Sequence, residues 1–168
     1  SSSITVPANQ SITEGNSYTF SGVSVSSENS ATNMTVVVEV NDGSTSDDGV
    51  IKNGAIELAS YTKQGDLASI NAFLSSISFT PPDSNYNGSV TINISFNDQQ
   101  SVVTTSSFDI TINAENDAPI LVNGTPFLTT IDEDNVSSTG TSVAALITRM
   151  GAFSDVDSSP SQGIAIVA

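Results

Sequence analysis

The segment "SVTINISF", residues 89–96, alternates apolar and polar side chains along its whole length. Its apolar members occupy every second position: Val90, Ile92, Ile94 and Phe96. Because successive side chains of a strand point to opposite faces of a sheet, this period predicts a strand with one face in a core. Valine, isoleucine and threonine also favour extended backbone. The segment therefore predicts a fold built from β-strands.

The same period recurs on both sides of that segment, from Ile4 to Ala114. Turn residues separate the runs, as at Asn87-Gly88, where glycine accepts a positive φ. We interpret seven runs as strands or tight hairpins: residues 3–7, 17–25, 34–40, 50–58, 76–81, 89–96 and 106–113. A β-sandwich of about 100 residues has about that number of strands. Residues 1–115 are therefore predicted to be an all-β, Greek-key antiparallel β-sandwich.

One segment departs from the two-residue period, "DLASINAFL" at residues 66–74. Helical spacing relates four apolar residues of this segment and predicts a short helix there: Leu67, Ile70, Phe73 and Leu74. Asp66 stands directly before it, and aspartate is a preferred N-cap residue. We therefore expect the Asp66 carboxylate to cap helix amides and not to bind a metal.

The composition argues against several classes of function. Lysine and arginine together number 3 against 18 aspartates and glutamates, for a net charge of −15. A surface of that sign repels nucleic acid and anionic lipid, so neither is an expected partner. The chain has no cysteine and no histidine, which removes thiolate and imidazole ligands and the commonest general base. We predict that the protein is not an enzyme and that any metal is a hard cation.

The pattern changes at Pro119, after which an apolar run restarts at Ile120. Residues 120–168 contain too few predicted elements to close a sandwich, because each sheet would leave one apolar face in water. This region is predicted to be the N-terminal part of a second, incomplete or split repeat. Its last predicted strand carries Ile164, Ile166 and Val167.

The joint between the two regions reads "INAENDAPIL", residues 112–121. Glu115, Asn116 and Asp117 place two carboxylates and an amide where glycine and serine would suffice for a flexible linker. Such oxygen ligands are those that calcium prefers. Residues 116–119 are therefore predicted to be a calcium-binding linker. The alternative is a solvated acidic linker whose side chains only form turns.

Two long stretches carry a family resemblance. Residues 66–98, which include "PPDSNYNG", and residues 110–121 closely resemble the tandem cadherin-like (VCBS-type) repeats of large bacterial surface adhesins. Residues 140–168 are similar to the start of another such repeat. The resemblance implies cadherin- or immunoglobulin-like sandwiches joined end to end, with neighbouring repeats of the same chain as partners. It also implies calcium at the joints, a role in cell adhesion or biofilm formation, and an extracellular location, secreted or on the bacterial cell surface.

The resemblance also implies a set of calcium ligands. They are Glu14, Glu115, Asn116, Asp117, Asp155 and Asp157. The first repeat has Ser27 and Asn29 where the second has Asp155 and Asp157, so its own upstream joint is expected to bind calcium weakly or not at all.

Other acidic segments have simpler interpretations. The loop "NDGSTSDDG", residues 41–49, gathers three aspartates, and we interpret it as a hairpin turn in preference to a second cation site. "DVDSSPSQG" is not an EF-hand, because Pro160 stands where that loop requires glycine.

Two functions of different classes remain open. The first is a calcium-stiffened extracellular spacer that supports adhesion. The alternative is a module that binds a glycan or a protein through the loops at one end of the sandwich, as immunoglobulin-type domains do. The loops hold few aromatic side chains, which favours the spacer.

Overall fold

The computed structural model describes residues 1–100, 103–121, 127–151, 153–157 and 160. The chain divides into two compact units, Ser1–Glu115 and Asn116–Ala168. The strand predicted at Ile164, Ile166 and Val167 lies outside the described residues. In the part of the chain that is described, no helix is both long and apolar enough to cross a membrane. The assignment of the second unit to part of a repeat stays a prediction.

The described part of the first unit contains eleven strands and one helix. In chain order they are β1 Ser2–Thr5, β2 Gln10–Thr13, β3 Tyr18–Thr19, β4 Ser24–Ser27, β5 Met34–Val40, β6 Val50–Asn53, β7 Ile56–Leu58, β8 Ser60–Gly65, α1 Leu67–Ser76, β9 Ser78–Thr80, β10 Gly88–Asn97 and β11 Thr104–Asn113. The seven predicted runs all contain strand. Sequence analysis missed β2 and β8, because neither alternates regularly between apolar and polar side chains.

The strands form two main sheets and one small one. A five-stranded sheet has the order β2-β11-β10-β5-β8, a four-stranded sheet has the order β3-β9-β6-β7, and β1 pairs with β4. Buried residues from both main sheets belong to one hydrophobic core. The first unit is therefore β-sandwich-like, as the alternating pattern predicted.

Alternation along the strands places the core residues. Along β5 every second side chain is buried, and along β10 the buried residues are the four apolar positions of residues 89–96. The ring centroids of Phe20 and of Phe108 on β11 are 5.8 Å apart, and the two rings make an edge-to-face contact within the core. Burial of these side chains is the main source of stability of the first unit.

One strand pair differs from the antiparallel prediction. β2 runs parallel to β11, with Ile12 opposite Ile112 and Thr13 opposite Asn113, whereas the other pairs of the first unit are antiparallel. The segment before Pro7 pairs with β4, and the segment after it joins the edge of β11. Proline cannot donate to a ladder, so the chain changes sheets there. This pairing brings residue 14 beside the end of β11.

Helix α1 begins where the sequence predicted. The Asp66 carboxylate accepts a hydrogen bond from the Ser69 amide at 2.8 Å, which confirms its role as N-cap. The helix also ties down the edge of β4: the Asn71 side chain accepts from the Val25 amide at 2.8 Å and donates to the Val25 carbonyl at 3.0 Å. These two hydrogen bonds take the place of a neighbouring strand, because an open strand edge would leave the Val25 amide and carbonyl without partners.

The second unit has fewer described elements. They are β12 Ile120–Leu121, α2 Val143–Arg149 and β13 Phe153–Ser154, and β12 pairs antiparallel with β13. Sequence analysis did not predict α2, although Ser142 caps it by accepting from the Ala145 amide at 3.1 Å and Arg149 stands in its last turn. These two signals mark a helix start and a helix end.

Candidate metal-binding carboxylates

Glu14 follows the last residue of β2 and precedes Gly15, whose φ of +82° turns the chain away from the sheet. Its amide donates to the Asn113 carbonyl at 2.8 Å, which continues the parallel pairing with β11 by one residue. Its side-chain oxygen Oε1 accepts from the Glu115 amide at 2.7 Å. The carboxylate therefore binds the backbone just beyond the end of β11.

This contact replaces a ladder bond. In a regular parallel pair, the Glu115 amide would donate to the main-chain carbonyl of residue 14. Here the carboxylate of Glu14 receives that hydrogen bond instead. Hydrogen bonds to an ionised acceptor are stronger than neutral ones. The end of β11 is thus held by a side-chain carboxylate and not by another backbone carbonyl.

Glu14 is buried, with 8% of its surface exposed. Its second oxygen, Oε2, accepts from the Asn87 side-chain amide at 3.3 Å. Asn87 belongs to the turn before β10, and that turn lies against the chain at Gly15, where an added Cβ would lie 3.8 Å from the Ser84 carbonyl oxygen. Both oxygens of the buried carboxylate therefore have a donor, as buried polar groups require.

The second unit has its own set of carboxylates. Oδ2 of Asp157 accepts from the Asp117 amide at 2.7 Å, and Oδ1 of Asp155 accepts from the Asp157 amide at 2.9 Å. Asp155 and Asp157 follow β13 and are partly buried. The described donors to these oxygens are backbone amides, and no salt bridge among the described residues involves either side chain.

Glu14 in the first unit, and Asp117 and Asp157 in the second, each offer a carboxylate oxygen of the kind that binds metal ions. The donor set is all oxygen, which suits a hard cation. Glu115 and Asn116 contribute described hydrogen bonds through a main-chain amide and a side-chain amide, respectively. Their ligand roles, that of Asp155 and the identity of the ion as calcium stay predictions.

The buried carboxylate of Asp98, which is distant in the sequence, lies at the turn of Ser27 and Asn29. Asp98 is 3% exposed and accepts from the hydroxyls of Ser2 and Ser27, the latter at 3.0 Å. The Gln100 amide donates to its other oxygen at 3.0 Å, and the Asn29 side chain donates to its main-chain carbonyl. The described hydrogen-bond donors to this carboxylate are two hydroxyls and a backbone amide. The sequence analysis did not single out Asp98.

The loop of residues 41–49 forms turn contacts. Asp42 accepts from the amide and the hydroxyl of Ser44, and these bonds lower the pKa of Asp42, the hydroxyl bond most. Asp48 accepts from the Asn41 side chain at 2.8 Å and from the Tyr86 hydroxyl at 3.0 Å. Burial first, and the contact with Asp48 second, raise the pKa of Tyr86. These contacts agree with the interpretation of the loop as a turn.

No protein-family model, curated protein or solved structure matches this chain. The resemblance to cadherin-like repeats therefore stays a prediction from the sequence. Proposals about function depend on the residues and contacts described above.

Proposed function

We propose that this chain is a calcium-stiffened extracellular spacer from a large bacterial adhesin. In this proposal the first unit is a cadherin-like repeat with Greek-key connections, and the second unit belongs to the next repeat in the same chain. The protein is not an enzyme, and its function is mechanical: it extends an adhesive tip from the cell surface and supports adhesion or biofilm formation. The β-sandwich-like first unit and the acidic joint support this proposal.

The hydrogen bonding of residues 115–117 is the observation that supports it most. A carboxylate of the first unit, Glu14, binds the Glu115 amide, and a carboxylate of the second unit, Asp157, binds the Asp117 amide. Two residues of chain span at most about 7 Å. We propose that one calcium ion is bound by both carboxylates.

Electrostatics gives calcium its proposed effect on the joint. Without a cation, the carboxylates that flank the linker repel one another. A bound calcium ion replaces that repulsion with shared coordination by six to eight oxygens. Extracellular modules bind calcium with a Kd of about 10⁻⁴–10⁻³ M, and a tenfold excess over Kd stabilises by about 1.4 kcal/mol. That energy is enough to restrict a linker, whereas the hydrophobic core stabilises the first unit without calcium.

Calcium titration and small-angle scattering test the proposal together. Calorimetry on the full chain is expected to give a Kd in the range for extracellular modules, and scattering is expected to show a narrower distribution of maximum dimensions with calcium than with chelator. Circular dichroism of the strands should be the same in both conditions. Identical scattering profiles with calcium and with chelator would disprove the stiffening role.

A further inference from the structure

Asn87 contacts the proposed calcium site through Glu14, and no sequence pattern marked it as part of that site. Its side-chain amide donates to Oε2 of Glu14, while the Glu115 amide donates to Oε1. With a donor on each oxygen, the plane of the Glu14 carboxylate is fixed, whereas a single donor would leave that plane free to rotate. We infer that Asn87 is a positioning residue, which orients the Glu14 carboxylate for calcium. This inference rests on the proposed function.

The surroundings of Asn87 fit that role. It is itself exposed, while the carboxylate that it contacts is buried. It lies between Tyr86, whose hydroxyl is held by Asp48, and Gly88, the first residue of β10. Both flanking residues are therefore anchored in the fold, and the amide is presented to Glu14 from a fixed turn.

The chemistry explains why an amide serves here. A lysine would neutralise Glu14 and compete with a cation, and an aspartate would add a second negative charge beside a buried carboxylate. The Asn87 amide donates to Glu14 and, at 3.4 Å, to the Asn85 carbonyl, and it does so without changing the charge of the site. Groups that hydrogen-bond to metal ligands commonly contribute about 10–100-fold in metal affinity. Asn87 therefore orients the ligand and leaves its charge available to the ion.

Two matched pairs of variants in the full chain test this role. The first pair is Asn87→Ala and Asn85→Ala, because Asn85 lies in the same turn and its described contacts use only its backbone groups. Calorimetry with calcium is expected to give a Kd about tenfold weaker for Asn87→Ala and an unchanged Kd for Asn85→Ala. With terbium in the site, luminescence lifetimes in H₂O and D₂O should show more bound water in Asn87→Ala alone.

The second pair, Asn87→Asp and Asn85→Asp, preserves side-chain size. In chelator, Asn87→Asp should lower the Tm, because it places a second carboxylate beside Glu14, and calcium should raise its Tm more than that of the unaltered chain. Asn85→Asp adds the same charge and should not show the larger calcium effect.

Equal calcium affinities for the two alanine variants would overturn the role of Asn87 and leave the proposed function standing. Absence of calcium binding by the unaltered chain would overturn both. A lower Tm of Asn87→Ala in chelator, with an unchanged calcium affinity, would make Asn87 a structural turn residue only and would also overturn the inference.

Discussion

Each unit contains a turn in which a side-chain oxygen accepts a hydrogen bond from the amide two residues later. In the first unit, Oγ of Ser27 accepts from the Asn29 amide at 3.1 Å; in the second, Oδ1 of Asp155 accepts from the Asp157 amide at 2.9 Å. Both turns come at the end of a short antiparallel strand pair, β1 with β4 and β12 with β13. The same local backbone arrangement is therefore formed by two different kinds of side chain.

The difference lies in how negative charge is compensated. At the first turn one carboxylate, Asp98, accepts hydrogen bonds from two hydroxyls and a backbone amide of the protein itself. At the second turn both side chains are carboxylates, and their described donors are backbone amides. A single buried carboxylate is stable when enough donors reach it, whereas adjacent carboxylates favour a cation. Under the proposed function, a cation compensates the carboxylates of the second turn, whereas hydroxyl and amide groups of the protein contact Asp98 at the first.

The largest expected effect is on the hydrogen bonds at the first turn. Asp98→Ala removes the acceptor for two hydroxyls and an amide in a buried environment, so the free energy of unfolding of the first unit should fall by about 3 kcal/mol. Urea denaturation in chelator, followed by circular dichroism, measures this. Asp98→Asn, which keeps the size of the side chain, should cost less. If Asp98→Ala were as stable as the unaltered chain, neutral donors would not be stabilising this turn.

The second turn should respond in metal affinity and not in stability. Asp155→Asn combined with Asp157→Asn removes two formal charges and is expected to weaken calcium binding at least tenfold, or about 1.4 kcal/mol. In chelator the first unit should unfold as in the unaltered chain. The matched control is Asp47→Asn with Asp48→Asn in the loop of residues 41–49. A larger loss of calcium affinity in that control would assign the site to the loop instead.

Introducing the two aspartates of the second turn into the first turn should make the stability of the first unit depend on calcium. Ser27→Asp combined with Asn29→Asp places two carboxylates near Asp98 and should lower the free energy of unfolding in chelator by about 1 kcal/mol. Calcium at about ten times its Kd should restore a similar amount. Thermal denaturation with and without calcium measures both changes. A variant that is destabilised but insensitive to calcium would show that the turn geometry alone does not make a cation site.

The smallest effect is expected at the two helix caps. Asp66→Ala removes the N-cap of α1, which packs Ile70, Phe73 and Leu74 into the core, and should lower the Tm of the first unit by less than Asp98→Ala does. Ser142→Ala removes the N-cap of α2, none of whose described side chains is buried, and should reduce helix content without changing that Tm.

The effect of Asp66 should also depend on pH. Hydrogen bonds from Ser69, the side chain first and the amide second, lower the pKa of Asp66. Its contribution is therefore present above the ordinary pKa of about 3.9 and is lost as the pH falls through the lowered value. Near pH 7 the Tm of Asp66→Ala should be lower than that of the unaltered chain, and at strongly acidic pH the two should converge. A constant difference in Tm would show that the charge is not involved.

The local structure of the first unit could be predicted because it depends on neighbours in the sequence. Met34–Val40 was predicted as a strand with the bounds that β5 has, and Asp66 was predicted to cap α1. Each depends on a period or a cap that spans only a few residues. β8 was not predicted, because among its residues only Tyr61 is buried and no period exists to detect.

The carboxylates of the candidate site could be predicted from the sequence, but the contacts that hold them could not. The carboxylates Glu14, Asp117 and Asp157 were all named from the sequence. The Glu14 contact with the Glu115 amide depends on the parallel pairing of β2 with β11, between residues about a hundred positions apart in the chain. The contact with Asn87 depends on the turn before β10. No spacing in the sequence encodes either contact.

The sequence by itself determined that this chain is rich in strands, acidic, free of cysteine and histidine, and supplied with oxygen ligands at a joint near residue 116. These properties follow from residue type and short-range period, which need no partner to be defined. Only the tertiary structure decided which strand lies beside β11, which acid is buried at the Ser27 turn, and which amide holds Glu14. Those contacts join distant segments, and they form because one shared core brings the segments together and because each buried polar group needs a partner.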